Sequence, residues 1–276
     1  VMEVIDVHAT PLHTSSIESA LPINVLSEDE LKMKQAATLG ETLKNEVGVH
    51  SSYYGPVAST PIIRGLDGPR VLITQNGLDV GDASRVGPDH VVATETSTAT
   101  QIEVLRGPAT LFYGSGAIGG VVNVVDSRVP TSGDTEGEML VEYGSVDEQK
   151  LASFNATTGV GSFAFYADGF YRKSSDYEIP VPAELEHDDH DEHDDHDDEH
   201  DQGSDFTVAN SGEKSNGFTF GTSYLFDQGF VGIAVEQFNR EYGIPGHSHG
   251  EEGEEEEHDH GHDEAEEAHS DDVYAD

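Results

Sequence analysis

Residues 216–226 read NGFTFGTSYLF and alternate between two kinds of side chain. One set of alternate positions is mostly aromatic: Phe218, Phe220, Thr222, Tyr224 and Phe226. The other set is small: Gly217, Thr219, Gly221 and Ser223. Because successive side chains of a β-strand point to opposite faces of a sheet, this stretch predicts a strand with one aromatic face and one small, polar face.

Two neighbouring stretches repeat this alternation. Branched side chains at alternate positions of 230–239 face away from a set that includes Glu236, and aromatic side chains in 162–173 face away from Asp168 and Arg172. A soluble β-sandwich would bury its bulky face and expose its polar face. A face of small and charged side chains instead suits the interior of a wide, water-filled barrel of the outer-membrane kind. Alternation alone leaves the soluble sandwich open as an alternative.

The lengths of the connections favour the barrel. The pattern predicts five strands: 137–144, 149–158, 162–174, 214–226 and 229–241. In an up-and-down meander, successive connections lie on alternating sides of the sheet. A first insert (175–213) and a second insert (242–276) therefore share one side, and the tight turns at 159–161 and 227–229 share the other. Outer-membrane barrels show this asymmetry, with short periplasmic turns and long extracellular loops.

The charge is concentrated in the two inserts. The chain has 13 basic and 55 acidic residues, a formal net charge of −42, and 184–201 and 247–276 carry 12 and 14 acids with no base. This balance excludes a nucleic-acid partner bound through its phosphates. The chain also has no cysteine, which excludes disulfides and thiolate ligands. Any metal must therefore be held by nitrogen and oxygen atoms.

The N-terminal half reads as a compact α/β unit. A capping box at 27–30 predicts a helix over 28–37, and Thr38 begins a second short helix that stops near Gly48. Asn76-Gly77 is a strong hairpin signal. Strand patterns and one helical turn complete the unit, with strands at 61–65, 70–74, 102–106 and 121–125 and the turn at 109–113.

Three segments together resemble the TonB-dependent outer-membrane receptors. Arg64–Ile73 with the following Asn76-Gly77 is similar to the first plug signature of that family, and Ile102–Ala109 followed by Leu111–Asn123 is similar to the second. Upstream, a segment resembles the TonB box, although Asp6 and His8 depart from its usual apolar and threonine positions. Its residues are Glu3, Val4, Ile5, Asp6, Val7, His8, Ala9 and Thr10.

The resemblance implies an α+β plug domain followed by antiparallel transmembrane strands of a 22-stranded β-barrel. It divides the chain into a TonB box and N-terminal arm (1–12), a plug domain (13–130) and the first barrel strands with the two inserts as extracellular loops (131–276). Five strands cannot close around a domain of this size, so we expect the N-terminal part of a longer receptor. The implied partners are TonB with its inner-membrane energising complex, and outer-membrane lipid.

An enzyme is disfavoured by the glycine-rich stretch itself. Gly114–Gly119 fits G-x-G-x-x-G, but the dinucleotide fingerprint requires a helix next, whereas Gly120 and a β-branched run follow. Tyr113 stands where a G-x-S-x-G nucleophile elbow around Ser115 needs glycine. We therefore interpret these glycines as serving tight turns and close backbone packing.

Histidines alternate with acids in both inserts, and this pattern predicts metal capture. Imidazole with carboxylate suits zinc and, less selectively, nickel, copper or cobalt. The alternative is a solvated acidic tract with no ordered site. The histidines of the first insert are His187, His190, His193, His196 and His200, and those of the second are His247, His249, His258, His260, His262 and His269.

A sharper candidate is the Asp89-His90 pair within 87–92. An adjacent carboxylate and imidazole on a glycine-proline loop can present two ligands to one ion. Zinc-uptake members of the family (ZnuD-type) are similar in having such a pair on the upper loop of the plug, with further ligands from the barrel. The alternative is that His90 is a surface residue before a strand. His8, His13 and His50 are lone histidines that we expect to face solvent.

The sequence therefore predicts an importer of a divalent transition metal, most readily zinc, in the bacterial outer membrane. A receptor for haem or an iron chelate would share the plug and barrel signatures, but the acidic inserts would repel anionic chelates. A secreted metal buffer would account for the inserts but not for the signatures.

Overall fold

The computed structural model describes residues 7–9, 22–81, 83–181 and 206–245. Within these residues the chain forms two five-stranded sheets and one pair of short strands. Glu3–Asp6, Thr10, His13 and all eleven insert histidines lie outside the described residues. In the described part, the helices are too short or too polar to cross a membrane.

The N-terminal domain (residues 22–130) is built on the first sheet. Its strands are β1 (Ile23–Ser27), β4 (Val71–Gln75), β5 (Leu78–Asp79), β6 (Gln101–Leu105) and β7 (Gly120–Val125). They lie in the order β1-β6-β7-β4-β5, antiparallel except for β4 and β7. The other elements are helices α1 (Glu28–Lys34) and α2 (Leu39–Leu43), the paired strands β2 (Val49–Ser51) and β3 (Pro61–Ile63), and 3-10 turns at 68–70, 83–85, 107–113 and 115–117.

Both faces of this sheet are buried, which accounts for the continuous apolar character of its strands. On one face, Leu31 of α1 and Leu43 of α2 join a core cluster with Ile102 of β6. On the other face, Ala9 of the N-terminal arm packs in a second cluster that includes Val121 of β7. Strands that are covered on both sides have no polar face. The sequence pattern of these strands therefore does not indicate which face packs against the helices.

The hairpin prediction is confirmed, and three local predictions are wrong, one of them the end of α2, which lies at Leu43 and not near Gly48. Asn76 and Gly77 both have positive φ, 49° and 80°, as a type I′ turn requires. Ser27 makes no side-chain cap, because it ends β1 and the carboxylate of Glu30 instead accepts from Lys34 Nζ at 2.7 Å. Helix α1 also ends at Lys34 and not at 37. Thr38 does cap α2 by accepting from the Glu41 N–H.

The wall sheet (β8–β12) is a consecutive antiparallel meander. Its strands are β8 (Glu136–Tyr143), β9 (Lys150–Val160), β10 (Phe163–Ser174), β11 (Glu213–Phe226) and β12 (Gly229–Tyr242), in the order β12-β11-β10-β9-β8. All five predicted strands are confirmed, with bounds that differ from the predicted ones by at most two residues.

Both inserts leave the wall sheet at the same end, as the connection lengths predict. Ser174 pairs with Glu213, which pairs with Tyr242, so the residues that flank the first insert and precede the second lie in one row. The base of the first insert continues as a bridge between Glu178 and Thr207. The Gly243 N–H donates to the Gly212 carbonyl at 3.2 Å, so the bases of the two inserts are hydrogen-bonded to each other.

The two faces of the wall sheet are as different as the alternation predicts. The outer face exposes aromatic and branched side chains, among them Phe218, Phe220, Tyr224, Ile233 and Val235. The inner face buries small and charged side chains against the N-terminal domain, among them Ala164, Asp168, Arg172, Ser215 and Thr219. This is the inverse of a soluble sandwich.

The linker at 128–133 lies against small residues of the inner face. A Cβ on Gly221 would overlap the carbonyl of Arg128, and a Cβ on Gly159 would overlap the backbone of Gly133. The Ser223 hydroxyl donates to the Pro130 carbonyl. The glycines of the inner face therefore give the linker room to pass directly over the strands.

Candidate functional site

The apex segment (residues 87–97) belongs to the N-terminal domain and contacts the wall sheet at the end from which the inserts leave. A turn at its start is closed by the His90 N–H, which donates to the Gly87 carbonyl at 3.3 Å. The Tyr242 hydroxyl donates to the Asp89 carbonyl at 3.3 Å. Because Tyr242 is the last residue of β12, Asp89 and His90 lie at the end of the sheet from which both inserts leave. Both side chains are partly buried.

The described residues do not by themselves complete a metal site. Across residues 7–9, 22–81, 83–181 and 206–245, no three histidine or acidic side chains come together in a ligand arrangement. Asp89 and His90 thus supply two ligands, and their metal-binding role stays a prediction, as does that of the insert histidines. His8 and His50 are exposed, which confirms the interpretation of these two as lone, solvent-facing histidines.

Beside the apex turn lies a charge cluster that joins the N-terminal domain to the wall sheet. It consists of Glu95 in the apex segment, Arg172 on β10, Glu213 on β11 and Arg240 on β12. Arg172 Nη2 contacts Glu95 Oε1 at 2.8 Å, and Arg240 Nε contacts Glu213 Oε2 at 3.1 Å. The remaining two pairs are longer, 3.6 Å for Arg172 with Glu213 and 4.0 Å for Arg240 with Glu95.

The charge cluster is almost entirely removed from solvent. Its four side chains are between 1% and 5% exposed, and its two guanidinium groups balance its two carboxylates. Burial opposes ionisation of Glu95, but the charges of Arg172 and Arg240 outweigh it and hold the pKa of Glu95 below its ordinary value. The Ser97 N–H also donates to Glu95 Oε1 at 2.9 Å. Glu95 is therefore a buried, charged anchor.

Sequence reasoning did not find this cluster. The alternation places Arg172 on the inner face, so its direction was predictable. Its partner Glu95 lies 77 positions earlier in the chain, in a stretch with no periodic pattern. The available signal was a charged residue on a face that is otherwise small and polar, which requires a buried partner of opposite charge.

The described part of the N-terminal arm is docked on the first sheet. Val7 and Ala9 are buried, and the backbone N–H groups of His8 and Ala9 donate to the two carboxylate oxygens of Glu103 at 2.6 and 2.7 Å. The Tyr113 hydroxyl donates to the Ala9 carbonyl at 2.7 Å. Burial, and then the charge of Glu103, raise the pKa of Tyr113 to about 12, so this hydroxyl stays a donor.

Glu103 is the acceptor that the two backbone contacts of the arm share. It is fully buried and also accepts from Gln101 Nε2 at 2.6 Å and Asn123 Nδ2 at 3.0 Å. Four N–H groups therefore satisfy its charge. The carboxylate binds the arm through backbone groups, as the edge of a strand would, and so places little demand on the side chains of the arm.

A cavity of about 910 Å³ opens between the N-terminal domain and the wall sheet at the tight-turn end. Its lining includes Asp79, Asp126, Arg128, Glu136 and Glu236. Arg128 pairs with Asp126 at 2.7 Å and with Glu236 at 3.0 Å. The cavity is therefore acidic, with part of its charge neutralised by one arginine.

Part of the N-terminal domain matches the model of a known family. Residues 15–121 match the family described as the TonB-dependent Receptor Plug Domain. This match supports the predicted plug domain, and together with the transporter relative below it places the protein in the bacterial outer membrane. The similar proteins below are transporters and receptors and not enzymes.

The chain matches only part of the length of each similar protein. The chain is 31% identical over 166 residues to the vitamin B12 transporter BtuB of Photobacterium profundum, covering 57% of this chain and 27% of that protein. The siderophore receptor PirA from Pseudomonas aeruginosa has the same fold, with a TM-score of 0.55, 20% identity, and 81% and 36% coverage. The ferric-catecholate import receptor Fiu from E. coli K12 is similar with a TM-score of 0.58 and 17% identity. That match covers 82% of this chain and 28% of that protein. The chain therefore spans about a quarter of the length of the first relative.

Proposed function

We propose that the complete protein is a TonB-dependent importer of a divalent transition metal, with zinc the first choice and nickel, copper or cobalt as alternatives. The observation that carries the proposal is the position of Asp89 and His90. They lie beside Tyr242, at the end of the wall sheet where the bases of the two histidine-rich inserts are hydrogen-bonded to each other. The apex pair and the described bases of both inserts therefore lie at one end of the wall sheet.

The inserts and the apex pair divide the work in this proposal. The inserts carry 12 and 14 acids in 184–201 and 247–276 and attract cations by their field. Ordering a long loop around an ion costs chain entropy, so each insert site binds with modest affinity. Asp89 and His90, set on the N-terminal domain, form the tight site with ligands from barrel strands outside this chain.

Energy enters through the arm in this proposal. Glu3–Thr10 pairs with TonB as an added strand, a mode that relies on backbone hydrogen bonds. Successive N–H groups of a strand point to opposite edges, so pairing along either edge would need one of the two N–H groups that Glu103 occupies, that of His8 or that of Ala9. The arm therefore has to leave Glu103 before TonB can bind it. The arm (1–12), plug (13–130) and 22-stranded barrel beginning in 131–276 are part of this proposal.

The metal assignment is tested by calorimetric titration of the complete receptor with zinc. Asp89→Ala with His90→Ala removes both apex ligands, so the tight site should weaken by more than the roughly 10–100-fold that loss of a group behind a ligand causes. Weak binding by the inserts should persist. The control is His50→Ala, which removes an exposed histidine of β2 and should leave the titration unchanged. An unaltered tight site in the double variant would remove Asp89 and His90 from the proposal.

The coupling is tested by deleting 3–10. Uptake of zinc should stop while zinc binding persists, because the arm lies on the face of the first sheet opposite the helices. Loss of binding together with uptake would contradict the division between a binding apex and a coupling arm.

A second candidate is a receptor for a metal chelate or a corrinoid. It is favoured by the functions of the similar proteins, which are vitamin B12 transport and siderophore reception. Titration with a ferric catecholate and with vitamin B12, beside zinc, separates the two. Submicromolar binding of either chelate with no tight zinc site would favour this candidate over the first.

A further inference from the structure

Two inward-facing residues of β12 hold two points of the apex segment. The Tyr242 hydroxyl donates to the Asp89 carbonyl at 3.3 Å, and Arg240 lies in the charge cluster around Glu95. Residues 240 and 242 share one face of the strand because side chains alternate. The seven residues from Asp89 to Glu95 are therefore bounded at each end by a contact to the wall sheet.

The surroundings of Glu95, the second contact point, involve several structural elements. Arg172 of β10 approaches Glu95 at 2.8 Å, and Arg240 Nη2 also donates to the Ala37 carbonyl between α1 and α2 at 3.0 Å. The Thr96 hydroxyl donates to the neighbouring Ala36 carbonyl at 3.0 Å. Two wall strands therefore meet the apex segment at the Glu95 carboxylate, and the connection between α1 and α2 is hydrogen-bonded to Arg240 and Thr96 beside it.

Because Glu95 is buried, its ion pairs with Arg172 and Arg240 favour the native position of the apex segment over any displaced one. Removing one partner of a buried ion pair is costly because it leaves an uncompensated buried charge, and Glu95 is 5% exposed with two arginines around it. A displacement of the apex segment away from the wall sheet would leave Arg172 and Arg240 with Glu213 as their shared carboxylate. Such a displacement is therefore opposed electrostatically as well as by lost packing.

We propose that Glu95 and Tyr242 are positioning residues for the apex pair, fixing Asp89 and His90 against the strand from which the second insert continues. Glu95 acts through the apex segment, and Tyr242 acts on the backbone of Asp89 itself. This inference rests on the proposed metal function. It adds that affinity at the apex depends on two residues with no ligand role of their own.

The experiment compares three variants of the complete receptor by zinc titration and by the visible absorption of bound Co²⁺, which reports the geometry of the ligands. Glu95→Gln keeps the shape of the side chain and removes its charge. Tight zinc affinity should fall by roughly 10–100-fold, with a changed Co²⁺ spectrum. Tyr242→Phe removes one neutral hydrogen bond, so the fall should be about two- to tenfold.

Glu236→Gln is the matched control. It removes a carboxylate of the same strand, one that pairs with Arg128 at 3.0 Å away from the apex segment. Its thermal midpoint should fall, but its zinc affinity and Co²⁺ spectrum should equal those of the wild type. If Glu236→Gln weakens zinc as much as Glu95→Gln does, the effect is general loosening and the inference is wrong.

Two further outcomes are decisive. If Glu95→Gln does not assemble, Tyr242→Phe alone decides, and an unchanged affinity and spectrum in that variant overturns the inference. Wild-type receptor without a tight zinc site would contradict the proposed function and this inference together. A wild type that binds zinc tightly, with both variants unaffected, contradicts only the positioning role.

Discussion

The two sheets of this molecule solve opposite burial problems. In the first sheet, β6 and β7 are buried at every position, because helices cover one face and the arm with 3-10 turns covers the other. In the wall sheet, the outer face is exposed and apolar, while the inner face of the three central strands is mostly buried and largely polar. The first sheet therefore holds its own core, whereas the wall sheet depends on an apolar medium outside and the N-terminal domain inside.

The two sheets also differ in how their buried charged residues are compensated. In the first sheet the buried carboxylate of Glu103 is satisfied by neutral N–H groups, including those of the arm. In the wall sheet the buried charges Arg172 and Arg240 are balanced by carboxylates, one of them from the N-terminal domain. One arrangement binds a backbone segment and the other locks two structural units together.

The largest expected effect breaks the doubly buried sheet. Val122→Asp places a charge at a fully buried position of β7, among the apolar side chains of the first core cluster. We expect a loss of about 4 kcal/mol or more of stability, seen as loss of trypsin-resistant receptor in the outer membrane. Val122→Ala is the control and should retain assembled receptor. Normal assembly of the aspartate variant would mean that this strand is not buried on both faces.

The next effect tests the outer face of the wall sheet. Val235 is 58% exposed near the middle of β12, and lysine there should cost about 2–4 kcal/mol in a bilayer. The same change at Asn239, nearer the end of the strand, should cost about 0–1 kcal/mol. Unfolding from lipid vesicles in denaturant measures both. Equal costs at the two depths would argue against a lipid-facing surface.

Glu103→Gln tests whether the buried carboxylate of the first sheet holds the arm. The amide of glutamine turns a donor toward N–H groups, so the arm should detach, at a cost of about 1.5–3 kcal/mol for a lost charged hydrogen bond. The natural chain lacks cysteine, so Ala9→Cys introduces a single thiol. Its labelling by maleimide should be slow in the otherwise native chain and fast with Glu103→Gln. Tyr113→Phe, which removes one neutral bond worth about 1 kcal/mol, should fall between them.

The smallest expected effect is a pH dependence of the lock between the two units. The folded-state pKa of Glu95 lies below its ordinary value of 4.5. Its ion pairs therefore stabilise fully above that value, and the stabilisation is lost as pH falls through the folded-state pKa. Thermal midpoints of the complete receptor from pH 7 downward should show this acid loss, and Glu95→Gln should flatten that part of the curve. Identical acid profiles would contradict the assignment.

The sequence predicted the wall sheet more accurately than the first sheet, for a physical reason. Each wall strand carries its own period-two signal over 8 to 14 residues, because one side meets an apolar medium and the other a polar interior. In the first sheet, β1 was not predicted, since a five-residue strand at its edge has little periodicity. The parallel pairing of β4 with β7 joins residues about fifty positions apart, which local patterns do not encode.

The candidate site divides in the same way. Asp89 and His90 were chosen from their residue types together with the resemblance to zinc-uptake receptors, and the alternation of the connections predicted that both inserts leave at one end of the sheet. The contact of Tyr242 with Asp89 and the charge cluster were not predicted. Both depend on how the N-terminal domain sits against β12, and that arrangement follows from tertiary packing.

The linker at 128–133 has a mechanical consequence. One end of the N-terminal domain is tethered there, wedged over Gly159 and Gly221 and bonded to Ser223, while the arm is fastened at the other end on Glu103. A pull on the arm would first detach it from Glu103 and then load β1, the edge strand that follows the arm in the chain and pairs with β6, while the linker remains bound. The domain would thus peel from its leading end and could refold in place, without being expelled whole.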